Sequence, residues 1–267
     1  MTRRLSLGYL MLPGLAPPEL ARIAAEVGCG GISVSAALTT MMTSQASLLD
    51  DPRLRRETGE TLRGCGVSLD LVEGVSVAPE TDLARARAAL EVMRELGASR
   101  FNLSVWETNP DRVSDLMDGF WRIGEDLQMR ITIEFLRLSQ VRTLQDAAAL
   151  ATSGRYPGLQ ILVDALHLAR SGGTPADVAA LPPELIGFSQ ICDGPAQSPG
   201  HEAYLHEAMN ERQIPGEGEL PLRALLAALP PEVIVALEVP MRSRAEAGVT
   251  PLERARLAAD GARRVMA

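Results

Sequence analysis

The chain has 267 residues, 46% of them hydrophobic, and 34 acidic against 26 basic side chains give a net charge of −8. That balance argues against a surface built to attract nucleic acid or an anionic membrane. Every basic residue is an arginine, and a chain without lysine cannot be a Schiff-base aldolase, a pyridoxal-phosphate enzyme or a P-loop nucleotide binder.

Arg3 and Arg4 followed by LSLGYLML resemble the start of a signal peptide, but the apolar run is short and broken at Pro13-Gly14. LSLGYL (5–10) reads instead as a first buried strand, and no other segment approaches the roughly 20 apolar residues of a membrane span. PPELARIAAEVG then opens with prolines and closes on glycine, as helices do. Further strands are predicted at GISVS (31–35), VSLDLV (67–72), FNLSVW (101–106), ITIEF (131–135), LQILVD (159–164), IGFSQI (186–191) and VIVALE (233–238). Helical segments alternate with them, as in TDLARARAALEVMRELG, with a threonine cap and a terminal glycine.

Eight strand and helix units of about 30 residues match a (β/α)8 TIM barrel in one domain spanning 1–267. An open doubly wound sheet would want a GxGxxG turn after its first strand, and YLMLPGLAPPEL has none. Cys29, Cys65 and Cys192 lie far apart without a CxxC pair, which suits free thiols in the cytoplasm.

Active sites of such barrels lie at the C-terminal ends of the strands. Four late strands end in a polar residue: Glu134, Asp164, Gln190 and Glu238. Strand alternation points all four into the mouth and turns Ile133, Val163, Ile191 and Leu237 toward the helices. Three converging carboxylates repel one another unless a proton or a cation neutralises them. The oxygen-rich set favours one divalent metal, Mn²⁺ or Mg²⁺, over structural zinc, against the plainer reading of strand-end caps and arginine pairs.

The runs VDALHLARSGGTPADVAALP, QICDGP, IPGEGEL and ALEVP resemble the sugar phosphate isomerase/epimerase group of the xylose isomerase-like TIM barrel superfamily, most strongly from residue 130 to residue 240. The resemblance implies that Glu134, Asp164, Gln190 and Glu238 bind one divalent metal. It also implies that Glu134 and Glu238 are the catalytic acid and base. Glutamine on strand 7 is similar to the hydroxypyruvate isomerase-like members. His167, in the D-x-x-H pattern, and Arg212, before IPGEGEL, are implied to contact substrate. Arg170, following strand 6, and Trp106, ending strand 4, are further candidates for the pocket. His201 and His206, irregularly spaced in SPGHEAYLHEAMNER, are expected to face solvent.

The expectation is a metal-dependent sugar isomerase or epimerase that transfers a proton through an enediolate of a sugar, keto-sugar or hydroxy-keto acid. A metal-dependent lyase or dehydratase of the same barrel family, or a barrel that only binds a ligand, are the alternatives. Expected partners are a small carbohydrate-like substrate, with neither nucleic acid nor membrane, and a second copy or three further copies of the chain in a homodimer or homotetramer. Segments such as LRALLAALP offer an apolar contact or pack on the barrel.

Overall fold

The computed structural model describes residues 3–38 and 47–267. Eight parallel strands pair in sequence order and close on themselves: β1 (Leu5–Leu7), β2 (Gly31–Ser35), β3 (Ser68–Val77), β4 (Arg100–Val105), β5 (Arg130–Glu134), β6 (Gln160–Asp164), β7 (Ile186–Ile191) and β8 (Val235–Leu237). Between and after them run α1 (Pro17–Glu26), α2 (Pro52–Cys65), α3 (Leu83–Glu95), α4 (Pro110–Leu127), α5 (Leu144–Thr152), α6 (Ala165–Arg170), α7 (Pro175–Ala179), α8 (His201–Asn210), α9 (Leu222–Ala228), α10 (Arg242–Glu246) and α11 (Pro251–Met266). This is the expected (β/α)8 barrel. Among the described residues no helix is long and apolar enough to cross a membrane, and the three cysteines are free thiols.

Local chemistry sets the element ends. Asn109 and Asp51 each accept two backbone N–H bonds ahead of a proline that begins α4 or α2, and Thr250 with Glu253 forms a capping box for α11. Several boundaries differ from the sequence reading, most by one or two residues, and three differences bear on local chemistry. The first strand stops at Leu7, because Tyr9–Met11 turns into a 3-10 helix. The cap of α3 is Asp82, whose carboxylate accepts from Ala84 and Arg85; Thr81 instead accepts from the Ala78 N–H and donates to the Ser76 carbonyl. The third strand, expected to end at Val72, continues through Glu73 and Gly74 to Val77.

Side chains that point outward from the strands, such as Ile133, Val163, Ile191 and Leu237, join the core between barrel and helices. Leu222, Leu225 and Leu226 of α9 are buried in this same core, so the apolar side of LRALLAALP packs on the barrel. A separate buried cluster of Leu71, Leu162, Phe188 and Ala236 fills the interior. Each stands two residues before Glu73, Asp164, Gln190 or Glu238, so the period of a strand puts these four polar groups one layer higher, at the mouth. Below the cluster, Arg100 lies with its guanidinium 5.8 Å from the Phe188 ring centroid.

The first turn of the interior leaves no room at β2. A Cβ on Gly31 would come 1.7 Å from Oδ2 of Asp70, a buried carboxylate held by Ser68 and Arg4. Gly31→Ala should therefore destabilise the protein by about 1–3 kcal/mol or more, read from urea midpoints, and Asp70→Ala in the same chain should recover part of that loss. Strictly additive losses would contradict the steric account.

Candidate active site

Asp164 ends β6 and begins α6, and it serves both. Its Oδ1 accepts the backbone N–H of His167 at 2.8 Å, capping the short helix, while Oδ2 accepts from Arg212 Nη1 at 2.7 Å. The three-residue step from Asp164 to His167 is thus the step from a helix N-cap to its third residue. Arg212 reaches across to the last strand as well: Nη2 lies 2.9 Å from Oε2 of Glu238, and Nε donates to the Ala208 carbonyl at 2.8 Å. The guanidinium side chain is 1% exposed.

The loop that delivers Arg212 is fixed by Asp193 of the QICDGP run. Asp193 and Gln213 exchange backbone bonds, and the Asp193 carboxylate accepts the N–H groups of Gly194, Gly216 and Leu220. The IPGEGEL turn wraps this carboxylate so closely that a Cβ on Gly218 would meet Oδ1 at 2.4 Å. The N–H of Arg212 itself donates to the Pro240 carbonyl at 2.9 Å. Its side chain therefore enters the mouth from a braced backbone.

Gln190 stands beside this pair. Its Nε2 donates to Glu238 Oε1 at 2.8 Å and to Glu73 Oε2 at 2.9 Å, whereas Oε1 is buried without a hydrogen-bond partner. Glu73 is a carboxylate that the sequence reading missed. Ser33 donates to its other oxygen. Glu134 lies on the opposite arc: Asn102 Nδ2 donates to its Oε2 at 2.7 Å, and its Oε1 faces His167 Nε2 at 3.5 Å. The other ring nitrogen of His167 pairs with the Tyr204 hydroxyl at 2.7 Å. Asn102 and Tyr204 were missed too. Asn102 obeys the same alternation as the four strand-end residues, but Tyr204 comes from α8, which no strand rule reaches.

Glu73, Asn102, Glu134, His167, Arg212 and Glu238 line a cavity of about 200 Å³, whereas Asp164 and Gln190 lie beneath that lining. The cavity wall is apolar, with Leu10, Trp106, Leu136, Leu205 and Met209. Trp106 lines it as the sequence suggested, its Nε1 donating to Ser104 at 2.9 Å. Arg170 does not line it. Its guanidinium is buried against Glu207 at 2.6 and 2.8 Å and the Pro195 carbonyl at 2.9 Å, a pair that holds α8 down on α6 and leaves no donor aimed at the cavity. His206 is exposed, and the side chain of His201 lies outside the described residues.

One cation faces four acids, and the proton affinities reflect it. Burial, then the charges of Glu238 and Asp164, push Glu134 up to about 8. Burial raises Glu238 to about 7 against the pull of Arg212. Burial and the Glu238 charge drive Glu73 well above the carboxylate range. Asp164 goes the other way: burial would raise it, but Arg212 and then His167 hold it below its ordinary value. Burial lowers His167 to about 4, so its ring is neutral at pH 7.

Two features of the set would suit a divalent cation. Its donors are all oxygens, and Gln190 Oε1 is a buried oxygen left unpartnered among charge-coupled carboxylates. Among the described residues, no three His, Cys, Asp or Glu side chains stand together as a ready cluster. Asp164 and Glu238 are shared with Arg212, and each of their oxygens keeps a further lone pair.

The signs of these shifts fix a pH dependence. Glu134 and Glu238 hold protons in the native state that they release when unfolded, so their contribution is complete below about pH 4.5 and is lost as pH rises through about 7 and 8. His167 acts oppositely, but only between about 4 and 6.5. Metal-free protein should therefore lose stability from pH 6.5 to 8.5, measured as urea midpoints, and Glu134→Gln should flatten the fall. A flat or rising wild-type curve would contradict the charge balance.

No protein-family model matches the chain. By sequence it is similar to a 3-dehydroshikimate dehydratase of Pseudomonas putida, at 27% identity over 157 residues, which are 56% of this chain and 24% of that protein. By structure it is similar to a xylose isomerase-like TIM barrel/4-hydroxyphenylpyruvate dioxygenase fusion protein, with TM-score 0.76 and 22% identity over 98% of this chain and 42% of the fusion. The chain thus matches well under half the length of each of those two proteins. A xylose isomerase domain protein of Alicyclobacillus acidocaldarius matches end to end, with TM-score 0.76 and 19% identity over 99% of this chain and 98% of that one. Sugar epimerases are among the similar structures, at 17% and 14% identity. Closed parallel topology and these likenesses together show the fold of this chain to be a (β/α)8 TIM barrel, one it shares with proteins described as xylose isomerase-like.

Proposed function

We propose that this chain is an enzyme that removes a proton from the carbon beside a carbonyl in a small, unphosphorylated hydroxy-carbonyl compound. Glu134 is the base. The observation that carries this reading is the setting of Glu134 on the cavity floor, where one oxygen is fixed by Asn102, the other faces His167, and burial raises its proton affinity above that of an ordinary carboxylate. A divalent cation held by Glu134, Asp164, Gln190 and Glu238, Mn²⁺ or Mg²⁺ by its oxygen donors, would supply electrophilic stabilisation of the oxyanion that develops as the proton leaves.

The rest of the chemistry belongs to the chain. Arg212 holds Asp164 and Glu238 in place, and the apolar wall around Trp106 limits water at the floor. Dehydration is the favoured outcome: the proton taken up by Glu134 passes to a departing β-hydroxyl, which leaves as water, while the neutral His167, held by its pair with the Tyr204 hydroxyl, orients that β-hydroxyl. The similarity to a protein named 3-dehydroshikimate dehydratase supports this branch. Epimerisation or isomerisation is the second reading, supported by Glu238, a second carboxyl with an affinity near 7 that can return the proton.

A cation inventory argues for an unphosphorylated substrate. Among the described residues lining the cavity the only arginine is Arg212, and its charge is already shared between Asp164 and Glu238, with Nε on the Ala208 carbonyl. Residues 1–2 and 39–46 contain neither arginine nor lysine. A phosphate would meet acids without a free guanidinium to receive it.

The test is a panel of hydroxy-ketones, keto-sugars and 3-dehydroshikimate, each sugar with and without phosphate, assayed with Mn²⁺ in D₂O. Unphosphorylated members should turn over, and Glu134→Gln should cut turnover by more than about 10²-fold. Tyr204→Phe should slow water loss while deuterium exchange at the substrate carbon persists. Preference for a phosphorylated partner, or an undiminished Glu134→Gln variant, would contradict the proposal.

A further inference from the structure

The outer half of the cavity is chemically unlike its floor. Among the described residues of the lining, every ionisable group lies on the floor except Glu80, which is exposed on the rim. Past the strand ends the lining is Val75, Trp106, Leu136, Leu138, Leu205 and Met209, with few polar groups between them. The two serine hydroxyls of this wall are already engaged: Ser76 and Ser104 are bonded to each other at 3.2 Å, and Ser104 also accepts from Trp106 Nε1 at 2.9 Å. The Tyr204 hydroxyl is taken by His167. One helix makes much of the wall. Tyr204, Leu205, Ala208 and Met209 recur at helical spacing along α8, and all of them line the cavity. Glu207 of the same helix is held by the buried Arg170, so this face is not free to turn away. Leu205 is nevertheless 43% exposed, one of two large hydrophobic side chains so open among the described residues. A leucine facing water at the edge of a cavity is stabilised when an apolar group covers it.

We propose that the substrate carries an alkyl or aryl substituent beyond its hydroxy-carbonyl head, and that Leu205 and Met209 of α8 select it. The inference rests on the reading that Glu134 takes a proton from the carbon beside a carbonyl, and it names the class of compound which that reading leaves open. The head meets the polar floor, and the tail lies along the wall. Each hydroxyl of a polyhydroxylated tail placed there gives up water without finding a free partner, whereas each methylene or ring carbon gains by leaving water.

Three ketones that share a hydroxymethyl head and differ in the tail test it: hydroxyacetone, hydroxymethyl phenethyl ketone and erythrulose, whose tail is a diol. The measurement is entry of deuterium at the hydroxymethyl carbon in D₂O with Mn²⁺ supplied, expressed as kcat/KM. The phenethyl ketone should exceed erythrulose by about tenfold or more, the range over which added apolar contact discriminates in a pocket, and hydroxyacetone should fall between them. Leu205→Asn and Met209→Gln should each lower that ratio severalfold, through KM rather than kcat. A variant that merely disturbed the fold would slow all three ketones alike and leave the ratio standing. Erythrulose exchanging as fast as the phenethyl ketone, or a ratio unchanged in both variants, would overturn this inference alone, because exchange itself would still support proton abstraction. No exchange with these ketones but exchange with a keto-sugar of the earlier panel would do the same. Deuterium entering no member of either set would overturn the proton-abstraction reading and this inference with it.

Discussion

The mouth of this barrel is organised by one buried guanidinium. Arg212 joins Asp164 at the end of β6 to Glu238 just past β8, with contacts of 2.7 and 2.9 Å and almost no exposure to solvent. Two carboxylates in such a place are tolerable only if each has a partner, since losing one member of a buried pair leaves an uncompensated charge at a cost of about 3–5 kcal/mol. Much of the surrounding architecture follows from delivering that side chain. Asp193 gathers the IPGEGEL turn, Gln213 and Pro240 fix the backbone around Arg212, and Arg170 with Glu207 pins the helix that precedes it.

A single cation cannot neutralise four acids, and the remainder is divided unequally. On one side, Gln190 ties Glu73 to Glu238 through an amide whose oxygen is left bare. On the other, Glu134 meets only Asn102 and a neutral imidazole, and at 14% side-chain exposure it is more open than Asp164 or Glu238. In the proposed reading the first side holds a cation and the second reacts. Burial turns both to use by raising the proton affinity of Glu134 and Glu238 toward neutrality.

Strand periodicity made much of this legible in the sequence. Glu134, Asp164, Gln190 and Glu238 each stand at or near a strand end; Asp164 and Gln190 reach Glu238, through Arg212 and directly, and Glu134 stands across from them. Glu73 obeys the same rule two residues after Leu71, yet an acid followed by Gly74 ends a strand on local propensity; the chain instead passes a bulge at Gly74, where φ is +69°, and resumes pairing with β4 at Val75. Asn102 sits within β4 rather than at its end and so carried no strand-end signal. Tyr204 and the fate of Arg170 depend on contacts 37 residues apart, through α8. Such pairings are set by tertiary packing, which periodicity does not encode. The D-x-x-H pattern was legible as a pattern, but its physical basis, a strand-end acid capping the next helix, needed the backbone.

The central claim is that these converging groups form a divalent-cation site presented to the cavity. Crystals grown with Mn²⁺ and measured at its absorption edge test it most directly. The account predicts one anomalous peak per chain at the barrel mouth, within about 2.0–2.5 Å of oxygens from Glu134, Asp164, Gln190 and Glu238, the range for oxygen ligands of hard cations. A fully loaded crystal with no peak there, and Arg212 still filling the space between Asp164 and Glu238, would contradict it.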